Sequence, residues 1–393
     1  MRVAGIIAEY DPFHNGHKAH VDSVHADGVT HIVTVVSGSF TQRGEPALLT
    51  KFDRARMALA CGADLVLENP LPFAMASAER FAIGGVSILH ALGCVDTLSF
   101  GSECGDTAEL QELAALMDAP AYEQTLKEAL ATGISYAAAR QKAVELCKGK
   151  ELAAILGHPN NTLGLEYIRA ATKIGANVCF LTLQRIGAAH NAEEICDNIA
   201  SASHLRTLIR TGQADNAMRY MPAGATDVLR EAIKDGRVAV HTETLKNALL
   251  ARLRTMDLAD FASLPYISEG LEHRLYQASR TAGSIDELLD AVKTRRYPTA
   301  RLQRILWAAL LGMPREDACP IPPYIRVLAM NERGREILSA ASPALPILTR
   351  AAQIRDLSAE AHTLFRLECR ATDLHALTLA TPLPCGTDLT NKI

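Results

Sequence analysis

Residues 3–20, VAGIIAEYDPFHNGHKAH, decide how the rest of the 393-residue chain is read. Val3 to Glu9 is a short apolar run stopped by Asp11-Pro12, where the proline lacks an N–H and turns its predecessor away from helix. From His14 the sequence becomes polar and helix-compatible, so the stretch reads as strand, turn, helix. A strand this apolar is expected to be buried on both faces, as in a parallel sheet flanked by helices. The alternation returns in HIVTVVSG (31–38), KFDRARMALACGA (51–63), DLVLENP (64–70), SAERFAIGGVSILHALG (77–93) and DTLSFGSE (96–103). The expected class is therefore α/β.

Outward from this core the pattern changes twice. Residues 105–150 turn helical and read as an insertion, before LGLEYIRAATKIGA and NVCFLTLQR restore a helix and a strand; the sheet domain is expected to cover 1–200. Residues 201–393 carry a series of amphipathic helical stretches, several ended by glycine, and form a mainly helical second region. Two segments there, YIRVLAMN (324–331) and ATDLHALTLA (371–380), are compatible with either strands or helix ends.

Composition narrows the function classes. The chain is 48% hydrophobic and 21% charged, which fits a soluble globular protein and argues against disorder. No apolar run nears the roughly 18 to 20 residues needed to span a bilayer, and residues 1–10 lead into polar sequence rather than a cleavage region. A cytoplasmic protein with no membrane association is expected. Nine scattered cysteines without a C-x-x-C pair argue against a disulfide framework or a structural zinc site. Residues 1–200 hold 15 Lys/Arg against 23 Asp/Glu, and residues 201–393 hold 25 against 21. A basic-leaning second half is compatible with a polyanionic partner.

The chemistry concentrates where the first strand meets the first helix. Ligands of open α/β sheets bind at strand C-termini, and a helix N-terminus attracts phosphate through free N–H groups and its dipole. Gly16 permits close approach of a base or ribose, and His14 and His17 can donate to phosphate oxygens that gain charge during displacement at phosphorus. Two other readings fit the same residues: ordinary helix-start histidines, or a metal held by His14, His17 and His20. The second strand leads into a polar loop, Ser37 to Pro46, near Lys51, Asp53 and Arg54, read as a lid or acceptor-contacting loop. Asp64, Glu68 and Glu79 read as caps or salt-bridge partners.

The His-x-Gly-His arrangement resembles that of the nucleotidylyltransferase superfamily, and Ser201-Ala-Ser-His-Leu-Arg206 resembles its phosphate-holding signature at a second helix start. The blocks GIIAEYDPFHNGHKAH, SGSFTQRGEPALLTKFDRARMALACGADLVLENP, FAMASAERFA, LSFGSE, NTLGLEYIRA, SASHLR, KTRRYPTARLQRIL and PPYIRVLAMNERGR run in order through most of the chain. Together they resemble the bacterial tRNA(Met) cytidine acetate ligase family. The resemblance implies a Rossmann-like nucleotidylyltransferase domain followed by a helical tRNA-binding region. It also implies an enzyme that activates acetate with ATP as acetyl-adenylate and acetylates the wobble cytidine of elongator tRNA(Met) to N4-acetylcytidine. ATP contacts carried over by motif are Ile7, Ala8, Glu9, Tyr10, Asp11, Pro12, Phe13, His14, Asn15, Gly16, His17, Lys18, Ala19, His20, Gly101, Asn160, Arg185, Ser201 and Ser203, with Mg²⁺ on the phosphates. His14, His17 and Arg206 are the expected catalytic residues, with no resident metal. Three positions depart from the family pattern: Asp11 and Ser39 replace asparagines, and Asn161 stands where an aspartate is usual.

Lys293, Arg295, Arg296, Arg301 and Arg304 place five cations within twelve residues around Tyr297. The segment is read as RNA-binding, with Tyr297 able to stack on a base; a solvated charge run is the competing reading. Two rival functions share the sheet chemistry: a small-molecule cofactor adenylyltransferase, and a non-enzymatic RNA-binding protein with a vestigial nucleotide fold.

Overall fold

The computed structural model describes residues 1–185, 198–294, 296–315 and 318–391. Its first apolar run is β1 (Val3–Ala8), and after the turn comes α1 (Asn15–Ala26). The alternation continues through β2 (His31–Ser37), α2 (Lys51–Ala60), β3 (Leu65–Asn69), α3 (Leu71–Ala74), α4 (Ala78–Leu92) and β4 (Thr97–Ser102). The helical stretch is α5 (Thr107–Met117), α6 (Pro120–Ala131), α7 (Tyr136–Lys148) and α8 (Lys150–Ile155), and α9 (Pro159–Lys173) leads to β5 (Cys179–Gln184).

The sheet order is β5-β4-β1-β2-β3, all parallel. The chain steps from β1 outward to β3, then returns to the other side of β1 with β4. That reversal is a topological switch point, and it opens a crevice beyond the C-terminal ends of β1 and β4. Period-two alternation in β1 assigns each residue to a layer. Ile7 packs with Phe81, Phe100 and Tyr167 on the α4 and α9 side, while Ala4 and Ile6 pack with Tyr10, Phe13 and Val21 on the α1 side. Fully burying each such Ile or Phe contributes about 1.5–3 kcal/mol.

The second half is mainly helical: α10 (Ala202–Arg210), α11 (Ala214–Met218), α12 (Ala223–Lys234), α13 (Thr242–Thr255), α14 (Leu258–Ala262), α15 (Leu271–Thr281), α16 (Ile285–Val292) and α17 (Thr299–Leu311). It also returns to the sheet. YIRVLAMN forms β6 (Ile325–Met330), antiparallel to β3, and β7 (Ile347–Leu348) pairs beside it. Between and after them lie α18 (Glu332–Ala340), α19 (Ala359–Ala376) and α20 (Thr387–Thr390); ATDLHALTLA is the end of α19 and the turn beyond it, not a strand.

A buried ionic cluster joins the two halves. Lys51 Nζ lies 2.7 Å from Glu68 and 2.8 Å from Asp388, and Arg326 lies 2.7 Å from Asp388 and 3.6 Å from Glu68. Burial and the adjacent Glu68 hold the Glu368 carboxyl well above the usual range. Lys51, Asp53 and Arg54, near the polar loop in sequence, are all buried in internal interactions. Asp53 pairs with Arg237, and Arg54 Nη1 donates to the Glu9 carbonyl at 2.7 Å. Asp64, just before β3, accepts the Ile32 N–H at the start of β2, in keeping with its reading as a cap. Among the described residues, no helix is long and apolar enough to cross a membrane.

Candidate active site

His14 ends the Pro turn as the N-cap of α1. Its Nδ1 accepts the Gly16 N–H at 3.1 Å, and His17 Nδ1 accepts the His14 N–H at 3.2 Å, a reciprocal box built from two imidazoles. Each ring thus spends its acceptor nitrogen on the helix start, which fixes the neutral tautomer with Nε2–H as donor. Burial pushes His14 down to about 3, reinforced by Arg185 and Arg206, and holds His17 well below its ordinary value. The rings stack with centroids 3.7 Å apart. A Cβ on Gly16 would sit 3.0 Å from the His14 ring, so glycine is what lets the cap close. Tyr10, with φ of 49°, turns the chain out of β1, and its ring packs against Phe13 and His17.

These Nε2–H groups line a cavity of about 370 Å³ at the switch point. Ser201 caps the second helix start facing it, accepting the His204 N–H, and its own hydroxyl proton remains to donate. Arg206, one turn into α10, donates to the Asp11 carbonyl at 2.8 Å and lies 4.0 Å from the Asp11 carboxylate. Arg185 follows β5 beside Gly101, where a Cβ would stand 3.3 Å from the arginine chain. Glu103 accepts from the Asn160 and Asn161 N–H groups at the start of α9; burial opposes its charge, but these bonds hold its carboxyl below the usual range.

Of the expected ATP contacts, Ile7, Ala8, Glu9, Tyr10, Asp11, His14, Gly16, His17, Ala19, His20, Gly101, Asn160, Arg185, Ser201 and Ser203 line the cavity, as does Arg206. Four do not. Phe13 is core, Pro12 is part of the buried turn, Asn15 donates to the Asn198 carbonyl at 3.0 Å, and Lys18 pairs with Asp22 on the next turn of α1. His20 Nε2 bonds Ser99 at 2.8 Å rather than converging with the other two rings, and among the described residues no group of His, Cys, Asp and Glu could hold a metal ion.

The cavity also holds residues beyond the expected ATP contacts, among them three from the Ser37–Pro46 loop that the sequence reads as a lid or acceptor-contacting loop. Phe81, Phe100, Leu163 and Tyr167 form an apolar wall, and Thr41, Gln42 and Arg43 from the polar loop close another side. Leu163 and Tyr167 are i, i+4 on α9 with Asn160 one turn earlier, a one-face spacing that the sequence does display.

The basic segment is divided. Lys293 and Arg296 are exposed, with Arg296 3.0 Å from Glu269, while Arg295 lies outside the described residues. Arg301 donates to the Tyr266 carbonyl and to Ser268, and Arg304 turns inward to the Gln42 carbonyl at 3.3 Å. Tyr297 is only 5% exposed and lies beneath the guanidiniums of Arg274 and Arg301, so its ring is not presented for base stacking.

A model of the HIGH nucleotidyl transferases matches residues 1–385. The tRNA(Met) cytidine acetate ligase of Acetivibrio thermocellus is 37% identical over 412 residues, covering all of this chain and 99% of that protein. The chain belongs to the tRNA(Met) cytidine acetate ligase family. The family member of Syntrophotalea carbinolica is 40% identical over 366 residues, covering 90% of this chain and 86% of its own. The crystal structure of apo Thermotoga maritima TmcAL superposes with a TM-score of 0.94 at 32% identity, covering 100% of this chain and 99% of that one. The same protein bound with alpha-thio ATP gives 0.91, again at 32% identity, over 99% and 98%. As a tRNA(Met) cytidine acetate ligase family member, the protein is a ligase with the fold expected from its first twenty residues.

Proposed function

We propose that the protein joins acetate to ATP as acetyl-adenylate, releasing pyrophosphate, and then acetylates the wobble cytidine of elongator tRNA(Met) to N4-acetylcytidine, releasing AMP. The observation that carries this reading is the pair of Nε2–H donors locked at the α1 N-terminus, opposite Ser201 and Arg206 at the α10 start. In the first step an acetate oxygen attacks the α-phosphorus in line with the departing pyrophosphate. Little proton transfer is required, so positioning and charge stabilisation do the catalysis. His14 and His17 donate to the phosphate oxygens as charge builds, and Ser201, Ser203, Arg185 and Arg206 orient the triphosphate tail. Neutral rings suit this, since each is a fixed donor whose Nε2–H is too weak an acid to be transferred. Mg²⁺ enters as part of the substrate, bound to the phosphates and neutralising part of their charge.

The second step brings the tRNA across the helical half, where Lys293 and Arg296 supply surface cations, Arg301 and Arg304 support the surface from within, and Arg295 adds a further positive charge to the segment. The reading places the enzyme in the cytoplasm, where tRNA is modified. Incubating the protein with ATP, labelled acetate and total tRNA tests it. Label in tRNA(Met) is the expected result; an adenylylated small molecule without tRNA label would instead favour a cofactor adenylyltransferase, and neither product a nonenzymatic RNA-binding role.

A further inference from the structure

The cavity has two chemically different ends. One is built for anions: His14 and His17 at the α1 start, with Ser201 at the α10 start and Arg206 one turn further along, close enough to act on both His14 and Glu9. The other holds a carboxyl group. Glu9, two residues beyond Ile7 and just past the end of β1, lies toward α9, where its charge acts on Tyr167. Glu9 Oε1 accepts the Gln42 N–H at 2.6 Å, its carbonyl is taken by Arg54, and the carboxyl borders the cavity. Gln42 is itself fixed from behind, because Arg304 on α17 donates to its carbonyl. A carboxylate is the wrong group to meet a triphosphate and the right one to meet an amine.

In-line displacement decides which substrate faces it. Acetate attacks phosphorus from the side opposite pyrophosphate, so the acetyl group of the adenylate points away from the cationic end. The amine that attacks this acetyl group must then enter on the Glu9 side, and the loop carrying Gln42 sits between that side and the helical half.

We propose that Glu9 is the catalytic residue that takes the proton from the acceptor amine during acetyl transfer, an inference that rests on the acetate-ligase reading above. The N4 lone pair of cytidine forms the new C–N bond to the acetyl carbonyl carbon. The bond from that carbon to the phosphate oxygen breaks, and AMP leaves with its electron pair. The N–H proton passes to the Glu9 carboxylate, which leaves a neutral amide and a protonated Glu9 that later returns its proton to solvent. No oxidant or further reactant is needed. The cytidine amine is a weak nucleophile because its lone pair is delocalised into the ring, and it turns strongly acidic only as the C–N bond forms, so a carboxylate is base enough.

Glu9 is faced by Asp11 from its own strand end, Arg54 from α2, Arg206 from α10 and Tyr167 from α9. Burial raises its carboxyl above the usual range, the Gln42 N–H opposes that, and Asp11 adds to it. Such tuning brings a carboxylate nearer the operating pH of a general base.

The test isolates the second step by supplying preformed acetyl-AMP and tRNA to the full-length protein and measuring single-turnover acetylation across pH, with tRNA affinity measured separately. Glu9→Gln keeps an oxygen for the Gln42 N–H and removes the base. It is expected to slow transfer by about 10²- to 10⁴-fold and to abolish the rise of rate with pH that wild type shows. Transfer by Glu9→Gln at the wild-type rate, with the wild-type pH profile, overturns the inference. If Glu9→Gln does not fold, Glu9→Asp decides: a loss of about 10- to 10²-fold with the pH dependence kept supports Glu9, since one methylene misplaces the base, and an unchanged rate overturns it. If wild type itself moves no acetyl group from acetyl-AMP to tRNA, the acetate-ligase reading falls, and the role of Glu9 falls with it.

Discussion

His14 both caps α1 and presents a donor to the nucleotide, and the two roles come apart by substitution. Asparagine is a good N-cap, and its Oδ1 can take the Gly16 N–H that His14 Nδ1 now accepts at 3.1 Å. It cannot extend a donor to where Nε2 lies. His14→Asn should therefore retain helix stability and lose the phosphate contact. Alanine loses both. A missing donor to developing charge costs about 10²- to 10³-fold in rate, and a missing cap costs about 1 kcal/mol of stability. Acetate-dependent exchange of pyrophosphate into ATP reads the first quantity, and urea unfolding reads the second. Both variants should fall by the same factor in exchange, with only His14→Ala less stable. Wild-type exchange by His14→Asn would refute the donor role, and equal stability of the two variants would refute the cap.

Other consequences are open to measurement. Replacing Lys293 and Arg296 by alanine should weaken tRNA binding and flatten the dependence of log affinity on log salt by somewhat under one unit per lost phosphate contact; an unchanged slope moves the RNA surface elsewhere. Arg304→Ala should act differently, releasing the Gln42 carbonyl and slowing acetyl transfer more than it changes the salt slope, and a purely slope-altering effect would show that Arg304 faces RNA. Lys51→Met strips the buried cluster of a cation and should destabilise the protein by about 3–5 kcal/mol in denaturant unfolding, whereas near-wild-type stability would show the remaining charges compensate. Burial holds His14 at about 3 and His20 and His375 at about 4, so each is neutral when folded. The unfolded chain takes up protons first as pH falls through about 6.5. Stability is thus fullest above that pH and declines toward pH 4, and His375→Gln should make the decline shallower; an unchanged slope would rule out a contribution from that ring.

What the sequence displayed was the part governed by local rules. Strands β1 to β4 are buried along nearly their whole length and β5 is a half-exposed edge strand, yet each carries a short apolar run that is visible without tertiary knowledge, and Asp11-Pro12 marks the turn unaided. Ambiguity began where partners decide. YIRVLAMN is as apolar as a helix end, and it becomes β6 because the edge of β3 is open to it. Lys51 and Arg54 stand beside a polar loop in the sequence, and nothing local foretells their burial, because their partners, Asp388 and the Glu9 carbonyl among them, are distant in sequence or hidden in the backbone. Tyr297 was read as a base platform from its basic neighbours, and those neighbours are what cover it. The histidines were legible as a motif, whereas their tautomers rest on hydrogen bonds that only side-chain rotamers reveal.

The cluster around Lys51 bears on how the protein comes to be made. During synthesis the nucleotide-binding half emerges first, carrying the open edge of β3 and the Lys51–Glu68 pair. The strand that covers that edge arrives only after residue 325, and Asp388, which completes the pairing of Lys51 and Arg326, later still. Until then a nascent chain exposes a pairing surface and an unfinished ionic core, the features that invite aggregation. The first 200 residues expressed alone would be left in that state permanently.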